Sequence, residues 1–553
     1  MTRLLKLLFG AVVAFALLMV LSGLAIRIVL SGSGRDAVLS VIESRLNAPV
    51  SIEGGDFDLA QWFRFTPAIT LRGFLIGNPQ GFSSGNMIEA DEVSAQVALL
   101  PMFSDRVEIH SVILRRPQFH LETDAQGRSN LSALFPASPA GESEPAEDVA
   151  PTQLAIHSLT VEDGALRYVE SGGAEPLSVE GIHLLLSDFS ADTSCRFELT
   201  GRLFGAENCP IRFAGNAGPF SETAIPCAGD MEWELAPAEV PAAIRQKYFG
   251  DVMAEPGGDS RVGLSAKLNG DLFGTMRGNG ELSFVEFQIG PNAEDRLELA
   301  GQAPLELTAQ RLLGAPAIQL GASGATLQLG SGQWQGNTEF RFADSQLKGY
   351  VNGAISGVDI NQFLTAFSGT KDRVFGTAQM PDLRISFAGG DPATLLSSLS
   401  GDGTLTMEDG RIVALDIFNS VMAQAQKMLS SETAASGETS FVRFFSRWQI
   451  GGRRLQMSEI LLDGGSSSLS GEGFLTFAQE LNFDLRTTIT GPVAANLGGR
   501  PNEAGVPSAQ IPVKVSGTLE APRLRPDIKQ VAQEQVKQRV GDLLDSLFKK
   551  RNQ

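Results

Sequence analysis

The sequence predicts a mostly β protein that follows a single hydrophobic segment at its N-terminus. Glycine makes up 60 of the 553 residues, about 11 % against a usual ~7 %. Charged residues are 19 % of the chain, below the ~25 % of ordinary domains. After residue 50, apolar and polar residues alternate in many segments. Such alternation is typical of antiparallel strands with one apolar face and one wet face.

The hydrophobic segment at residues 7–26 contains one polar side chain, Ser22. A helix of this length, rising ~1.5 Å per residue, spans the ~30 Å hydrocarbon layer of a bilayer. A cleaved signal peptide has a shorter apolar core and a small-residue cleavage site, so we predict an uncleaved anchor. Basic residues flank the segment on both sides, and the positive-inside rule therefore does not decide its orientation. The rest of the chain is expected to lie on one side of the membrane.

Charge and cysteine content restrict the partners that the chain is expected to have. The net charge is −19, from 44 Lys and Arg against 63 Asp and Glu. This balance argues against nucleic acid or an anionic membrane surface as a main partner. The three cysteines are Cys195, Cys209 and Cys227. An odd number excludes a complete disulfide framework, one bridge is compatible with an oxidising compartment, and metal binding is the weaker interpretation without a C-x-x-C pair.

Changes in composition and periodicity divide the chain into successive segments. A short amphipathic helix is expected at Asp36–Asn47, and strand periodicity begins at Val50. The Pro-, Ala-, Glu- and Ser-rich stretch before residue 152 is typical of a mobile linker. The last segment is interpreted either as a helix that caps the sheet or as one that docks on a partner or bilayer surface. The segments are residues 1–30 (tip and anchor), 31–135 (N-terminal β unit), 136–151 (acidic linker), 152–395 (central β region), 396–527 (C-terminal β unit) and 528–553 (amphipathic helix).

Individual elements can be placed within these segments. Residues 107–114 are predicted as a strand, and Pro117 limits it to a sheet edge or to a strand end. Helices are predicted at Ala238–Phe249 and Ile417–Leu429. About 25 strands are expected in all, which at ~4.8 Å per strand gives a sheet roughly 120 Å wide.

A glycine-rich strand motif occurs repeatedly. Gly278–Phe284, Gly401–Met407 and Gly471–Phe477 each begin with Gly-x-Gly and continue with alternating residues. The irregular intervals between the copies argue against a solenoid of fixed period. Because strand residues follow rather than a helix, the motif is not a dinucleotide-binding loop. We expect its glycines where strands bend or pass close together.

Motifs that suggest catalysis are poorly supported. Gly81–Gly85 matches G-x-S-x-G, but a nucleophile elbow needs a preceding strand, and Asn78–Gln80 predicts a loop. His110 and His120 are interpreted as surface residues rather than as a metal pair. Asp56 and Asp58 are interpreted as solvated turn residues. No catalytic, cofactor-binding or metal site is therefore predicted, and the chain is not expected to be an enzyme.

Ordered segments at both ends of the chain resemble those of one protein family. The N-terminal segments are Leu46–Gly54, Pro67–Gly73, Gly77–Pro79, Leu99–Phe103, Leu114–Leu121 and Gly127–Leu131, where family members often have Trp in place of Leu131. The C-terminal segments are Gly401–Gly403, Glu408–Ile412, Thr439–Phe441, Ile511–Leu519 and Pro522–Asp527. In this order they resemble the AsmA family, whose larger relatives include TamB and YhdP. Residues 190–390 resemble the family in style only.

The resemblance implies both a fold and a function. The expected fold is an N-terminal transmembrane helix followed by an elongated, curved antiparallel β-sheet groove with a few short helices. The expected location is the inner membrane, crossed once, with most of the chain in the periplasm. The expected ligand is phospholipid, without a cofactor, in support of outer-membrane biogenesis. An outer-membrane or periplasmic partner is expected at the distal end.

Strand alternation near the C-terminus selects the residues that are expected to line such a groove. Two rival functions stay open: a scaffold that carries no lipid but affects outer-membrane protein assembly or targeting, and an envelope enzyme acting on lipid or glycan. The missing catalytic residues disfavour the enzyme. The candidate lining residues are Leu475, Phe477, Leu481, Phe483, Leu485, Ile489, Val513 and Val515.

Overall fold

A computed structural model describes most of the chain between residues 46 and 528. Within that range, it leaves out residues 59–67, 99–105, 125–127, 135–152, 170–176, 191–192, 221–223, 250–255, 291, 293, 311–316, 344–345, 428–432, 435–436 and 466. The anchor predicted at residues 7–26, most of the helix predicted at Asp36–Asn47, the linker at 136–151 and nearly all of the C-terminal helix lie outside the described residues. Within the described part of the chain, no helix combines the length and apolar character needed to cross a bilayer.

The described residues are mostly β, as the alternation predicts. They contain 26 strands, close to the number expected from the sequence. The strands are β1 (Val50–Asp58), β2 (Ala68–Gly77), β3 (Asn86–Ala98), β4 (Arg106–Arg115), β5 (Gln118–Glu122), β6 (Gln153–Val169), β7 (Leu177–Ser190), β8 (Cys195–Leu203), β9 (Pro210–Ala217), β10 (Pro226–Leu235), β11 (Arg261–Asp271), β12 (Thr275–Ile289), β13 (Leu297–Gln310), β14 (Ala317–Leu329), β15 (Gly332–Ala343), β16 (Gln346–Asp359), β17 (Val374–Gly389), β18 (Ser400–Val413), β19 (Thr433–Ala434), β20 (Glu438–Gly451), β21 (Arg454–Asp463), β22 (Ser468–Thr476), β23 (Glu480–Thr490), β24 (Arg500–Pro501), β25 (Pro507–Thr518) and β26 (Pro522–Pro526).

All of these strands belong to one sheet, which follows chain order almost throughout. From β6 to β18, each strand pairs antiparallel with the next. The sheet then continues through β20, β21, β22, β23, β25 and β26. Pairing is not interrupted at residue 395, because β17 pairs with β18 on either side of it. Short sequence separations between paired strands explain why a hairpin-rich sequence builds a single long sheet.

An exception to the antiparallel order occurs near the N-terminus. Strands β4 and β5 both pair parallel with β6 and antiparallel with β3, so they occupy one row of the sheet. Pro117 separates them, and β4 ends at Arg115 as expected. This strand lies inside the sheet, between β3 and β6, so the alternative that placed it at a sheet edge is wrong. Backbone bonds bridge the break: Arg116 N–H donates to Glu162 O and Ala165 N–H to Pro117 O, each at 2.8 Å. Asp56 and Asp58 lie in β1 rather than in a turn.

Side chains alternate between a buried apolar face and a wet face. In β8, buried Cys195, Phe197 and Leu199 alternate with exposed Arg196 and Glu198. The buried side chains form two hydrophobic clusters, one along β1–β14 and one along β13–β26. On the wet face, opposite charges pair across strands, as at Arg384–Asp402 (2.6 Å), Arg447–Glu459 (2.9 Å) and Lys514–Asp484 (3.7 Å). These exposed pairs identify the solvated face but contribute little stability.

Short helices leave the sheet at the strand ends. The helix predicted at Ala238–Phe249 is divided by Pro241 into a 3₁₀ turn, Pro237–Glu239, and a helix that begins at Ala242. The helix predicted from Ile417 begins there, where Asp416 accepts a hydrogen bond from Asn419 N–H. The described helices are α1 (Asn130–Leu134), α2 (Ala242–Phe249), α3 (Ile360–Ser368), α4 (Pro392–Ser398), α5 (Ile417–Gln426) and α6 (Pro492–Asn496).

The glycine motif lies on the apolar face, and its glycines make room for neighbouring chains. A Cβ on Gly403 would lie 2.8 Å from Cζ2 of Trp448. Gly473 lies beneath the ring of Phe483 in the same way, and Gly278 beneath the side chain of Leu268. The remaining glycine of each motif lies against backbone of the adjacent strand. The prediction that these glycines occupy close approaches is confirmed, because any side chain there would displace a ring or a strand.

Candidate functional site

The apolar face of the C-terminal strands is the candidate functional surface. Residues of the apolar face pair with one another from strand to strand, because the antiparallel register puts them opposite each other. Leu481 faces Leu475 on one side and Gly517 on the other, and Phe483 faces Val515. Cross-strand pairs of this kind form continuous rows perpendicular to the strands.

One such row is only half-buried, and we call it the open row. It contains Val351, Ile385, Ile450, Leu455, Leu475 and Leu481, with Gly401 between Ile385 and Ile450. It extends through β16, β17, β18, β20, β21, β22 and β23, and each of these strands except β18, which contributes Gly401, adds a partly accessible apolar side chain. Long partly exposed apolar strips on soluble surfaces mark contact with an apolar partner or ligand.

The same face is closed farther along the strands. Leu485 is 6 % exposed and Ile489 is 0 % exposed, and their neighbours Val513 and Val515 are buried too. Helix α6 contacts β23 and β25, and α5 contacts β20, β23 and β26. Buried Val421 and Ala425 of α5 and Ala494 of α6 belong to the same hydrophobic cluster as these strand residues. Helices that return from the strand ends therefore cover the apolar face at one end of the strands and leave the open row at the other.

The residues predicted to line a groove divide between these two regions. Leu475 and Leu481 belong to the open row, and Phe483 lies next to it and is half-buried. Phe477 lies in the turn after β22, where its N–H donates to Arg453 O at 2.9 Å. The other four, Leu485, Ile489, Val513 and Val515, are buried within the cluster covered by helices.

The alternation argument missed four of the six apolar residues of the open row. Val351, Ile385, Ile450 and Leu455 have the same pattern as Leu481, but they were not selected. A signal was available for two of them. Ile450 and Leu455 flank the segment 451–454, in which the hairpin turn Gly452–Arg453 places them opposite each other.

The cysteines are free, so the structure does not contain the single bridge that the sequence allowed. Cys195 and Cys227 both pair with Ala217, one from each side, so a whole strand separates them. That spacing exceeds the reach of a disulfide. Burial raises the pKa of Cys195 to about 11 and that of Cys227 to about 12. Burial also raises the pKa of Cys209, so none of the thiols is activated as a nucleophile.

The residues considered for catalysis or metal binding contact other groups of the described chain. Ser83 lies in a loop, where Asn78 Nδ2 donates to its Oγ at 3.0 Å and its own N–H donates to Glu122 at 2.6 Å. His110 packs against His157, with ring centroids 5.7 Å apart, rather than against His120. Among the described residues, no group of three or more His, Cys, Asp or Glu side chains is placed to hold a metal ion.

The fold and the open row define a class: proteins with one long, mainly antiparallel sheet that has a partly accessible apolar face. Residues 1–273 match the model of the AsmA family. The chain belongs to the AsmA family on this match, which covers the hydrophobic segment at residues 7–26 and the sheet as far as β11. No curated protein and no solved structure gives a significant match to the chain. Family membership suggests a role in the biogenesis of the bacterial envelope and outer membrane.

Proposed function

We propose that this protein binds phospholipid along the open row and transfers it in support of outer-membrane biogenesis. The observation that carries the proposal is the continuity of the row. Half-buried residues follow one another across paired strands from Val351 to Leu481, and all of them are apolar side chains except Gly401. A sheet that curves about this face forms a trough, in which acyl chains contact the row while the head group stays in water.

The energetics of lipid transfer explain why such a surface is useful. Exposing an acyl chain to water costs about 0.8 kcal/mol per CH₂ group. A phospholipid therefore leaves a bilayer slowly unless an apolar surface receives its chains. A continuous strip allows the chains to move from one strand to the next without full exposure. The wet face, with its cross-strand ion pairs, keeps the outer surface of the sheet soluble.

The proposal places residues 7–26 in the inner membrane as a single anchor and the sheet in the periplasm. An outer-membrane or periplasmic partner would receive the lipid at the distal end. The proposal includes no catalysis, cofactor or nucleic acid. Its support is the length and apolar character of the N-terminal segment, the net charge of −19 and family membership.

Mass spectrometry of co-purifying lipids tests the proposal. The full chain, extracted in a mild detergent and purified, is expected to retain phospholipid that survives detergent exchange. An unrelated anchored protein with a filled β domain, treated identically, gives the background. Lipid at background level in folded protein would contradict the proposal.

A scaffold without lipid is the second candidate, and a specific observation favours it. Helices α5 and α6 fill part of the apolar face, as the core of a purely structural protein would be filled. If the open row serves only as a contact for another protein, purified chain carries no phospholipid. The same lipid measurement therefore distinguishes the two functions.

A further inference from the structure

Three tryptophans place unpaired polar groups among the apolar side chains of the sheet. The indole N–H groups of Trp233, Trp334 and Trp448 are buried and have no hydrogen-bond partner in the described part of the chain. Trp334 and Trp448 are each 7 % exposed. Most buried donors in folded proteins are paired, and each exception requires an explanation.

Other polar groups on the apolar face are satisfied by nearby backbone. Ser446 Oγ donates to Ser458 O at 3.1 Å, and Thr487 Oγ1 donates to Ser468 O at 3.2 Å. The hydroxyl of Thr439 donates to Leu415 O. These buried hydroxyls therefore find backbone partners, whereas the indole N–H groups of Trp334 and Trp448 have none in the described part of the chain.

The cross-strand neighbours of the two most buried tryptophans carry no polar side chain. Trp334 pairs with Leu327 and Ile355. Trp448 pairs with Gly403 and Met457, and it lies two residues from Ile450 of the open row on the same face. Strands β15 and β20 are four strand intervals apart along the paired sheet, which at ~4.8 Å each is about 19 Å. The two donors are therefore separate positions on the apolar face.

The apolar neighbours of the two tryptophans restrict which hydrogen-bond acceptor can bind their indole N–H groups. Indole N–H is only a donor, so its partner must be a hydrogen-bond acceptor, which in a phospholipid is an oxygen atom. A phosphate placed beside Leu327 and Ile355, or beside Met457, would lose its hydration without a compensating positive charge. A neutral carbonyl oxygen attached directly to acyl chains meets both requirements. In a phospholipid, that oxygen belongs to the fatty-acyl ester.

We infer that the indole N–H groups of Trp334 and Trp448 bind the ester carbonyl oxygens of diacyl lipids whose chains lie on the apolar face. The inference rests on the proposed lipid-binding function and specifies its ligand class: ester-linked rather than ether-linked lipids. These tryptophans position the lipid through hydrogen bonds, and the open row contacts its acyl chains.

A competition between two lipids tests the inference. The full chain, stripped of lipid in detergent, is offered equal amounts of a diester phosphatidylcholine and its diether analogue with the same head group and chain length. Mass spectrometry then gives the ratio of bound lipids. A net hydrogen bond predicts an enrichment of the diester of about two- to tenfold. The Trp334→Phe/Trp448→Phe double variant is expected to bind the two lipids equally. Phe444→Leu, which alters a buried ring of the same face without removing a donor, is expected to keep the preference.

The outcomes separate the inference from the proposed function. Equal binding of both lipids by the unmodified chain overturns the inference and leaves lipid binding intact. A preference that persists in the double variant also overturns it. Binding of neither lipid overturns the proposed function as well. If the double variant does not fold, ¹⁵N-indole spectra of the unmodified chain decide: the diester must shift two indole signals that the diether leaves in place.

Discussion

Replacing Ile489 by aspartate is expected to unfold the C-terminal part of the sheet. Ile489 is 0 % exposed and lies in the cluster covered by α5 and α6. A carboxylate buried without a partner costs more than about 4 kcal/mol, a large fraction of the stability of a typical domain. Urea unfolding followed by circular dichroism measures the effect.

The matched control for this prediction is Ile489→Val, which removes one methylene group from the same position. It is expected to cost only about 0.5–1.5 kcal/mol. If Ile489→Asp unfolds at the same urea concentration as the unmodified chain, this part of the apolar face is not filled and the description of the covered region is wrong.

A charge in the open row is expected to leave the fold intact and to weaken lipid binding. Ile450→Glu should retain the fold, because Ile450 is only half-buried and a glutamate there reaches water. It should lower bound phospholipid by about tenfold, since losing contact with two CH₂ groups costs about 1.6 kcal/mol. Quantitative mass spectrometry of lipid bound to equal amounts of folded protein measures the effect.

Gln449→Glu is the control for this second prediction. Gln449 is the next residue in β20, is exposed on the wet face, and receives the same change of charge. Its bound lipid is expected to equal that of the unmodified chain. Equal losses in both variants would indicate a general effect of charge, and no loss in Ile450→Glu would remove the open row from lipid binding.

The contrast between Ile489 and Ile450 illustrates how far the sequence predicts the fold and the site. Alternation correctly placed both β23 and β25 and put Leu481, Phe483, Leu485 and Ile489 on one face. The repeated Gly-x-Gly motif correctly indicated close approaches, because local backbone geometry and cross-strand rings determine them. These features depend on neighbouring residues in sequence or on adjacent strands.

The alternation of apolar and polar residues could not predict which part of the apolar face the helices cover. Whether Ile489 or Leu481 remains accessible depends on where α5 and α6 pack, and α5 contacts β23 and β26, which are far away in sequence. The internal position of β4 depends on its parallel pairing with β6, which follows a long connection. The distance between Cys195 and Cys227 likewise depends on an intervening strand. Each feature arises from non-local packing, which alternation does not encode.

Site-specific photo-crosslinking tests the central claim most directly. A photoreactive amino acid is placed at Leu455 in the open row or, as the comparison, at Gln449 on the wet face, and cells expressing the full chain are irradiated. Mass spectrometry of the purified protein is expected to show phospholipid adducts at position 455 and none above background at position 449. Equal adducts at both positions, or protein adducts alone at position 455, would contradict the account.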